Sequence, residues 1–439
     1  MDPYIATWIA IALIFVLMAL GAPVFAALGA AGMAGIVMVE DLPFLLNRLK
    51  SFSYTQSASY LLTVIPLFIL MGAFAHHAGI GARLFQVARS WVGHWPGGLA
   101  MASVLTSAGF ACTSGSSVAT AATVGAVAIP EMKNSGYDPR LAAGSIAAGG
   151  VLGVLIPPSV LLIFYAALTE VSAGAMLVAG IVPGLLTTLV FMGGIWLICR
   201  SGMASQATLA PHTWGQRIRS LRHGWQVLLL FAIVLGSIYL GLATPTEAAA
   251  IGACAALIML VCARQARSRL RQAFNASCRS AITTTVMVMF TMIGAGIFSY
   301  FLSLVQLPQE LAALVSDSDI PPMLVVALLL LIYLPLGMFL DAFSMLVITL
   351  PIVFPTVVSL GFDPIWFGIL AVKMCEIGLI TPPVGLNVFV IAGIDRDTPL
   401  THIFHGAWWF VAMEFATILL LFFLPTLVTA LPQSMLAQG

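Results

Sequence analysis

Four short stretches of this 439-residue sequence carry residue types able to hold a small ion. Two combine small and polar side chains: Ser114, Gly115, Ser116 and Ser117, with Thr120 one turn on, and Leu340 followed by Asp341. The other two are proline pairs inside long apolar runs. Pro157 and Pro158 follow Gly153, and Pro382 and Pro383 follow Gly378. A proline inside a helix removes a hydrogen-bond donor and clashes with the preceding turn, so two in succession break the helix. A break exposes carbonyl oxygens at the end of one half-helix and N–H groups at the start of the next. The carbonyls suit a cation such as Na+, and the N–H ends carry partial positive charge that favours an anion. Ile156 and Ser159 flank the first break, Thr381 and Asn387 the second. Four such breaks facing one another are the ingredients of a sodium site plus a carboxylate site.

Other polar residues have plainer readings. Asp341 could bind a cation or carry a proton, against the alternative of a tip exposed to an aqueous cavity. Lys373 and Glu376 are three apart on one helical face and are expected to neutralise each other. Glu414 and Glu170 are weaker candidates. Glu247 follows Thr246, which reads as a helix N-cap with the carboxylate in the first turn. Ala119, Thr123 and Gly125 read as a small-residue packing face. His76 and His77 read as a headgroup-facing pair, since neighbours in sequence point apart on a helix and no metal-binding spacing occurs. The six cysteines form no CxxC pair and read as packing residues.

The elements that must position these residues follow from composition. Hydrophobic residues make up 61% of the chain and charged residues 8%. Soluble proteins run at about 45–50% and about 25%. The apolar runs are continuous rather than alternating, which excludes an outer-membrane barrel. A net charge of +1 gives no basic field for nucleic acid. No Walker A loop occurs, so no ATP hydrolysis is expected. The fold class is all-α and polytopic. Spans are expected near residues 4–20, 22–39, 60–78, 140–168, 177–199, 225–243, 246–262, 281–305, 364–393 and 404–430, about ten in all. The N-terminal run lacks the basic region of a signal peptide and reads as a retained first helix. Polar interfacial segments are expected at 42–58 and 264–280.

Two further runs, 97–133 and 321–358, are too long for one span, and the two polar tips interrupt them. They read as re-entrant hairpins. The basic loops support this: Arg200, Arg217, Arg219 and Arg222 in one, Arg264, Arg267, Arg269, Arg271 and Arg279 in another. With both loops cytoplasmic, the first hairpin opens to the cytoplasm and the second outward, and Glu310, Asp317 and Asp319 fall outside. A simple span in place of either hairpin would put an arginine cluster on the wrong face.

A shift of 225 positions brings out an internal repeat. It superposes Pro130 on Pro355, Gly136 on Gly361, Asp138-Pro139 on Asp363-Pro364, Gly153 on Gly378 and Pro157-Pro158 on Pro382-Pro383. The two halves, 1–222 and 223–439, then have opposite orientation and one hairpin each, an inverted-topology repeat.

At these residues the sequence resembles the large membrane subunit of the TRAP transporters, the tripartite ATP-independent periplasmic family (DctM-type). The likeness rests on SGSSVATAATVGAVAIPEMKNSGYDP (114–139), GVLIPPS (153–159), AGIVPG (179–184), ATPTEAAAIGA (243–253) and EIGLITPPVGLNVFVIAGI (376–394), in order along essentially the whole chain. The resemblance implies a secondary transporter of the bacterial inner membrane, not an enzyme, that takes up an organic acid on a sodium gradient. It implies two partners: a periplasmic substrate-binding protein and a separate small four-helix membrane subunit, no fused one being visible. It implies no cofactor beyond coupling Na+, and an elevator movement of hairpins and broken helices against a scaffold. Carried onto this chain, the ion sites fall at Ser114, Gly115 and Ser116 with Gly153, Ile156 and Pro157, and at Leu340 and Asp341 with Gly378, Thr381 and Pro382. The substrate falls near Ser117, Thr120, Pro158, Ser159, Pro383 and Asn387. Alternatives are a stand-alone two-hairpin anion–sodium symporter, a channel, and an intramembrane serine protease with Ser114, Ser116 or Ser117 as nucleophile.

Overall fold

Helix starts are written into the chain by short acceptors placed before proline. Asp2, Asp138 and Asp363 each take a backbone N–H two residues on, with proline at the first helical position. Thr244, ahead of Pro245, accepts from the Glu247 N–H three residues on and closes a capping box with the Glu247 carboxylate. The cap is therefore Thr244 and not Thr246, which lies buried inside the helix.

The computed structural model describes residues 2–57, 60–204, 210–263, 269–316 and 320–436 and contains no strand among them. Arg264, Arg267, Asp317 and Asp319 lie outside the described residues. The chain opens with α1 (Pro3–Ala19), α2 (Val24–Val39), α3 (Leu42–Ser57), α4 (Val64–His77) and α5 (Ile80–Val92). A helical hairpin follows, α6 (Gly98–Ser114) and α7 (Ser117–Asn134), then a broken pair, α8 (Pro139–Leu155) and α9 (Val160–Thr169). Next come α10 (Ala173–Ala179), α11 (Ile181–Arg200) and α12 (Trp214–Leu221). After these, α13 (Trp225–Phe231) and α14 (Ser237–Tyr239) flank a π-helical turn. They lead to α15 (Pro245–Cys262), α16 (Leu270–Leu304) and α17 (Leu307–Ser316). A second hairpin sets α18 (Pro322–Leu331) and α19 (Tyr333–Gly337) before α20 (Ala342–Ser359). The second broken pair is α21 (Pro364–Gly378) and α22 (Leu386–Ile394), followed by α23 (Leu400–Phe423) and α24 (Thr426–Leu436).

The 225-residue spacing recurs in these bounds. The starts and ends of α7 and α20 are separated by it, as are the starts of α8 and α21. The packing recurs too. The hairpin helix α7 lies against α8 and against α22 of the other half, while α20 lies against α21 and against α9. Phe164 meets Phe343 edge-on at 5.1 Å, and the Tyr165 hydroxyl donates to the Pro364 carbonyl at 2.7 Å. Lys133 at the end of α7 pairs with Asp395 at the end of α22. Burial alone would raise the Asp395 carboxyl, but the Lys133 ammonium and the Thr398 hydroxyl hold it below the usual carboxylate range. That link is complete at neutral pH and is lost only on acidification through the lowered value. A second group of helices, α1, α2, α4, α15 and α16, packs among itself.

Several expectations change. Five helices are long and apolar enough to cross a membrane, or eight if each bent pair is one span, counted among the described residues. Four more apolar helices, α1, α2, α6 and the Pro322–Gly337 stretch, are 10–17 residues long. From Leu270 on, the expected interfacial segment 264–280 and the span 281–305 form one helix, α16, of 35 residues, while 264–268 lie outside the described residues. No proline or glycine stands between Leu270 and Ile293 to stop it. The last expected span ends at Phe423, because Pro425 cannot continue a helix, and α24 follows as a separate piece. The packing reading of the cysteines fits the buried Cys112, Cys199 and Cys375, whereas Cys254 and Cys262 are exposed on α15.

Helices α8 and α23 cross at glycines. A Cβ on Gly406 would lie 1.9 Å from the Arg140 carbonyl oxygen, and one on Gly144 would lie 2.5 Å from the Gly406 carbonyl carbon. Gly406→Ala should therefore part the two helices and cost about 1–3 kcal/mol. Gly393→Ala, where a Cβ meets open space, serves as the control. Thermal melting of the purified protein reads the difference, and equal melting temperatures for the two variants would refute the close crossing.

Candidate functional site

The tip of the first hairpin is a two-residue link. Gly115 ends α6 in the left-handed conformation at φ +59°, which a side chain would strain. Ser116 then caps α7, its side chain accepting from the Ala119 N–H. One position of the repeat further on, Asp341 caps α20, accepting from the N–H groups of Phe343 at 3.0 Å and Ser344 at 3.2 Å. The Ser344 hydroxyl donates to its other oxygen at 2.5 Å. The sequence did not disclose this capping role of Asp341. Three acceptances by one carboxylate hold a negative charge at the start of α20, where the helix dipole favours it.

Both proline pairs form the expected breaks, and both peptide bonds, Pro157-Pro158 and Pro382-Pro383, are cis. The first break closes onto the first tip. A Cβ on Gly153 would sit 2.6 Å from the Ser116 carbonyl oxygen and from the Thr120 hydroxyl, and one on Gly115 would sit 3.0 Å from the Pro158 carbonyl oxygen. Thr120 shares its hydroxyl with Ser114 at 2.6 Å. Ser159 is buried and caps α9. In the second half Gly378 packs on Gly337, just before the second tip.

The two tips and the flanks of the two breaks meet at one cavity of about 340 Å³. Ser114, Gly115, Ser116, Ser117 and Asp341 line it, with Val154 and Val160 from beside the first break and Leu379 and Leu386 from beside the second. Not every predicted site residue reaches its wall. Ile156 turns away to pack on Gly184. Thr381 spends its hydroxyl on the Ile377 carbonyl at 2.7 Å. Asn387 is buried against α8, its amide 3.4 Å from the Ala147 carbonyl and its Oδ1 unpartnered. Leu340, Gly153, Thr120, Pro157, Pro158, Ser159, Gly378, Pro382 and Pro383 stand behind or beside the lining.

Three side chains that were read otherwise belong to the wall. Glu376 is buried on it and accepts a hydrogen bond from the Ser117 hydroxyl, and its Oε1 has no partner. His76 and His77 line it as well. The His76 ring meets the Thr123 hydroxyl at 2.7 Å, and His77 meets Ser277 at 3.2 Å. Thr123 thus does more than pack. Lys373 and Glu376 do not neutralise each other. The Lys373 ammonium reaches across to Glu414 on α23 at 2.5 Å and to the Thr187 hydroxyl on α11 at 2.8 Å. The flexible lysine stem lets it leave the face it shares with Glu376. Glu414, the weaker candidate, is fully buried and also accepts from Thr417 at 3.1 Å. The one sequence signal for Glu376 was a carboxylate two residues before a helix break.

Ser117 gives its proton to Glu376 and so offers the cavity only lone pairs, which suit a cation. Backbone N–H groups in the first turn of α7, which no helix carbonyl takes, are donors suited to an anion. None of Ser114, Ser116 and Ser117 has a histidine among its hydrogen-bond partners, as a serine nucleophile would need.

The model for the DctM component of the tripartite ATP-independent periplasmic transporters matches residues 11–427. The C4-dicarboxylate TRAP transporter large permease protein DctM of Pseudomonas aeruginosa is 39% identical over 386 residues, covering 88% of this chain and 87% of that protein. The isethionate TRAP transporter permease protein DctMQ of Oleidesulfovibrio alaskensis is 34% identical over 85% of this chain, which spans 58% of that longer protein. Among solved structures, the YdaH transporter of Alcanivorax borkumensis shares the fold at a TM-score of 0.61 and 16% identity, over 96% of this chain and 98% of that one.

The Lys373–Glu414 pair yields a test. Lys373→Met alone leaves a buried carboxylate uncompensated and should cost about 3–5 kcal/mol. Lys373→Met with Glu414→Leu should recover most of that loss in melting temperature and membrane yield. A double variant no more stable than the single one would show that the pair is not coupled.

Proposed function

The chain belongs to the DctM family of tripartite ATP-independent periplasmic transporters, and on that premise we propose that it couples inward sodium flow to uptake of an organic acid. It is a multi-pass membrane protein and a transporter permease subunit rather than an enzyme. In this reading it sits in the bacterial inner membrane, beside a small membrane subunit, and receives its substrate from a periplasmic binding protein. The DctMQ relative is longer and carries a two-letter fusion name, which fits a small subunit working in contact with the large one.

The observation that carries the reading is the single cavity shared by both tips and the flanks of both breaks. Polar tips from both halves line it, an arrangement that supports symport of a cation with an anion. Na+ is assigned to the acceptor-rich tips: Ser114 to Ser116 with the Gly153 to Pro157 break, and Leu340 and Asp341 with the Gly378 to Pro382 break. The substrate carboxylate is assigned to the first turn of α7, near Ser117, with Thr120, Pro158, Ser159, Pro383 and Asn387 around it.

A second cavity, about 700 Å³, opens between Glu170 at the end of α9, Pro355 on α20 and Ser299 and Tyr300 on α16. The first cavity touches α16 at Ser280 and Thr284. Thr284 and Ser299 are about 22 Å apart along that helix at 1.5 Å per residue. Two clefts at different levels of α16, with α9, α16 and α20 in the walls of both, support alternating access by an elevator movement. In this arrangement the halves 1–222 and 223–439 act as inverted repeats, with about ten spans and two re-entrant hairpins.

Two experiments test the proposal. In proteoliposomes holding the large and small subunits, uptake should require both an imposed sodium gradient and the binding protein. Robust uptake without the binding protein would instead make this a stand-alone symporter. Asp341→Asn keeps a helix cap while removing the charge. It should raise the sodium concentration for half-maximal uptake on the order of tenfold, with Ser116→Ala acting in the same direction. An unaltered sodium response in both variants would remove these residues from the ion sites.

A further inference from the structure

The segment joining the two halves carries an exposed apolar surface outside both cavities. On α12, Trp214, Ile218 and Leu221 follow one another at helical spacing and are exposed to 69%, 63% and 44%. The stripe does not stop where α12 ends. Trp225 and Leu228, exposed to 52% and 68%, continue it across a 48° bend into α13. The bent pair is apolar enough to count as one membrane-crossing segment. Leu228 is exposed on the outside of that segment, where a spanning helix meets lipid chains, and the stripe runs on from it along α12.

The rest of α12 fixes its attitude. Trp214 meets Trp91 of α5 edge-on at 6.4 Å, and the Arg217 guanidinium lies 3.4 Å from a ring nitrogen of His94. Arg219 and Arg222 are exposed beside the stripe and have no ion-pair partner among the described residues. An apolar stripe flanked by free arginines, on a helix bent away from a spanning segment, is the pattern of a helix lying in the membrane interface.

We propose that α12 is an in-plane anchor on the cytoplasmic leaflet and that Arg219 and Arg222 bind the phosphate of anionic phospholipid headgroups. The occupant is lipid rather than protein because the stripe is continuous with a lipid-facing one. Two exposed guanidiniums also complement phosphate, which they can grip with paired hydrogen bonds.

The test uses the full chain in nanodiscs of phosphatidylcholine with and without phosphatidylglycerol. A nitroxide is placed at Ile218→Cys, in a background where Cys254, Cys262 and Cys278 are alanine. It should be relaxed by oxygen and shielded from a water-soluble nickel chelate, as at Leu228→Cys. Free access of the chelate would overturn the anchor. Shielding that appears only when the small membrane subunit is added would assign the stripe to a protein partner and overturn the lipid reading. In mixed nanodiscs, enrichment of phosphatidylglycerol around the protein should fall on the order of tenfold in the Arg219→Gln, Arg222→Gln double variant. The Arg219→Lys, Arg222→Lys variant should retain most of it. Equal enrichment in the wild type and the glutamine variant would refute headgroup binding.

Discussion

Open backbone inside a membrane must find its hydrogen-bond partners within the protein, because lipid supplies none. This constraint organises the molecule. Two hairpin tips and two proline breaks leave carbonyls and N–H groups unpaired by their own helices. In the first half the tip and the break pack closely, Gly153 against the Ser116 carbonyl and Gly115 against the Pro158 carbonyl, and in the second half the Asp341 carboxylate takes the N–H groups at the start of α20. The two tips and the flanks of the two breaks line one cavity.

Buried charge is handled by the same rule. Lys373 pairs with Glu414 and donates to Thr187, and Thr417 donates to the same Glu414 oxygen, in the buried contact between α21, α11 and α23, while Glu414 Oε1 has no partner among the described residues. A pair at this depth is costly to form and more costly to halve. That makes it a device for holding the second broken helix in place rather than a contributor to the cavity. Three residues on from Lys373, Glu376 takes its one hydrogen bond from the opposite half of the repeat, and its Oε1 likewise has no partner among the described residues. Ser117 and Glu376 thereby tie the tip of one half to the broken helix of the other.

Much of this was legible residue by residue. The apolar runs, the proline pairs and the polar tips announced the helices, the breaks and the hairpins, because their effects are local. The 225-residue spacing was visible as matched Gly, Pro and Asp-Pro marks. It reappeared as matched helix bounds because capping and helix-breaking act within a turn or two. The failures were also instructive. Thr246 was chosen as a cap where Thr244 fits the box with Glu247, a misreading of spacing by two residues. The interface segment before α16 was drawn as separate because polar residues interrupt hydropathy without interrupting a helix.

The sequence by itself determined the medium, the helix boundaries, the places where backbone must open and the family. All of these depend on composition or on interactions within a few residues. Tertiary structure alone decided who partners whom. It paired Lys373 with Glu414, 41 residues away, rather than with Glu376. It gave Glu376 to Ser117 across 259 residues and His76 to Thr123 across 47. It placed Asp341 on the wall of the cavity that Ser116 also lines. The physical reason is that a long side chain reaches whichever neighbour the packing of helices supplies, and no spacing along one helix specifies its neighbours on another.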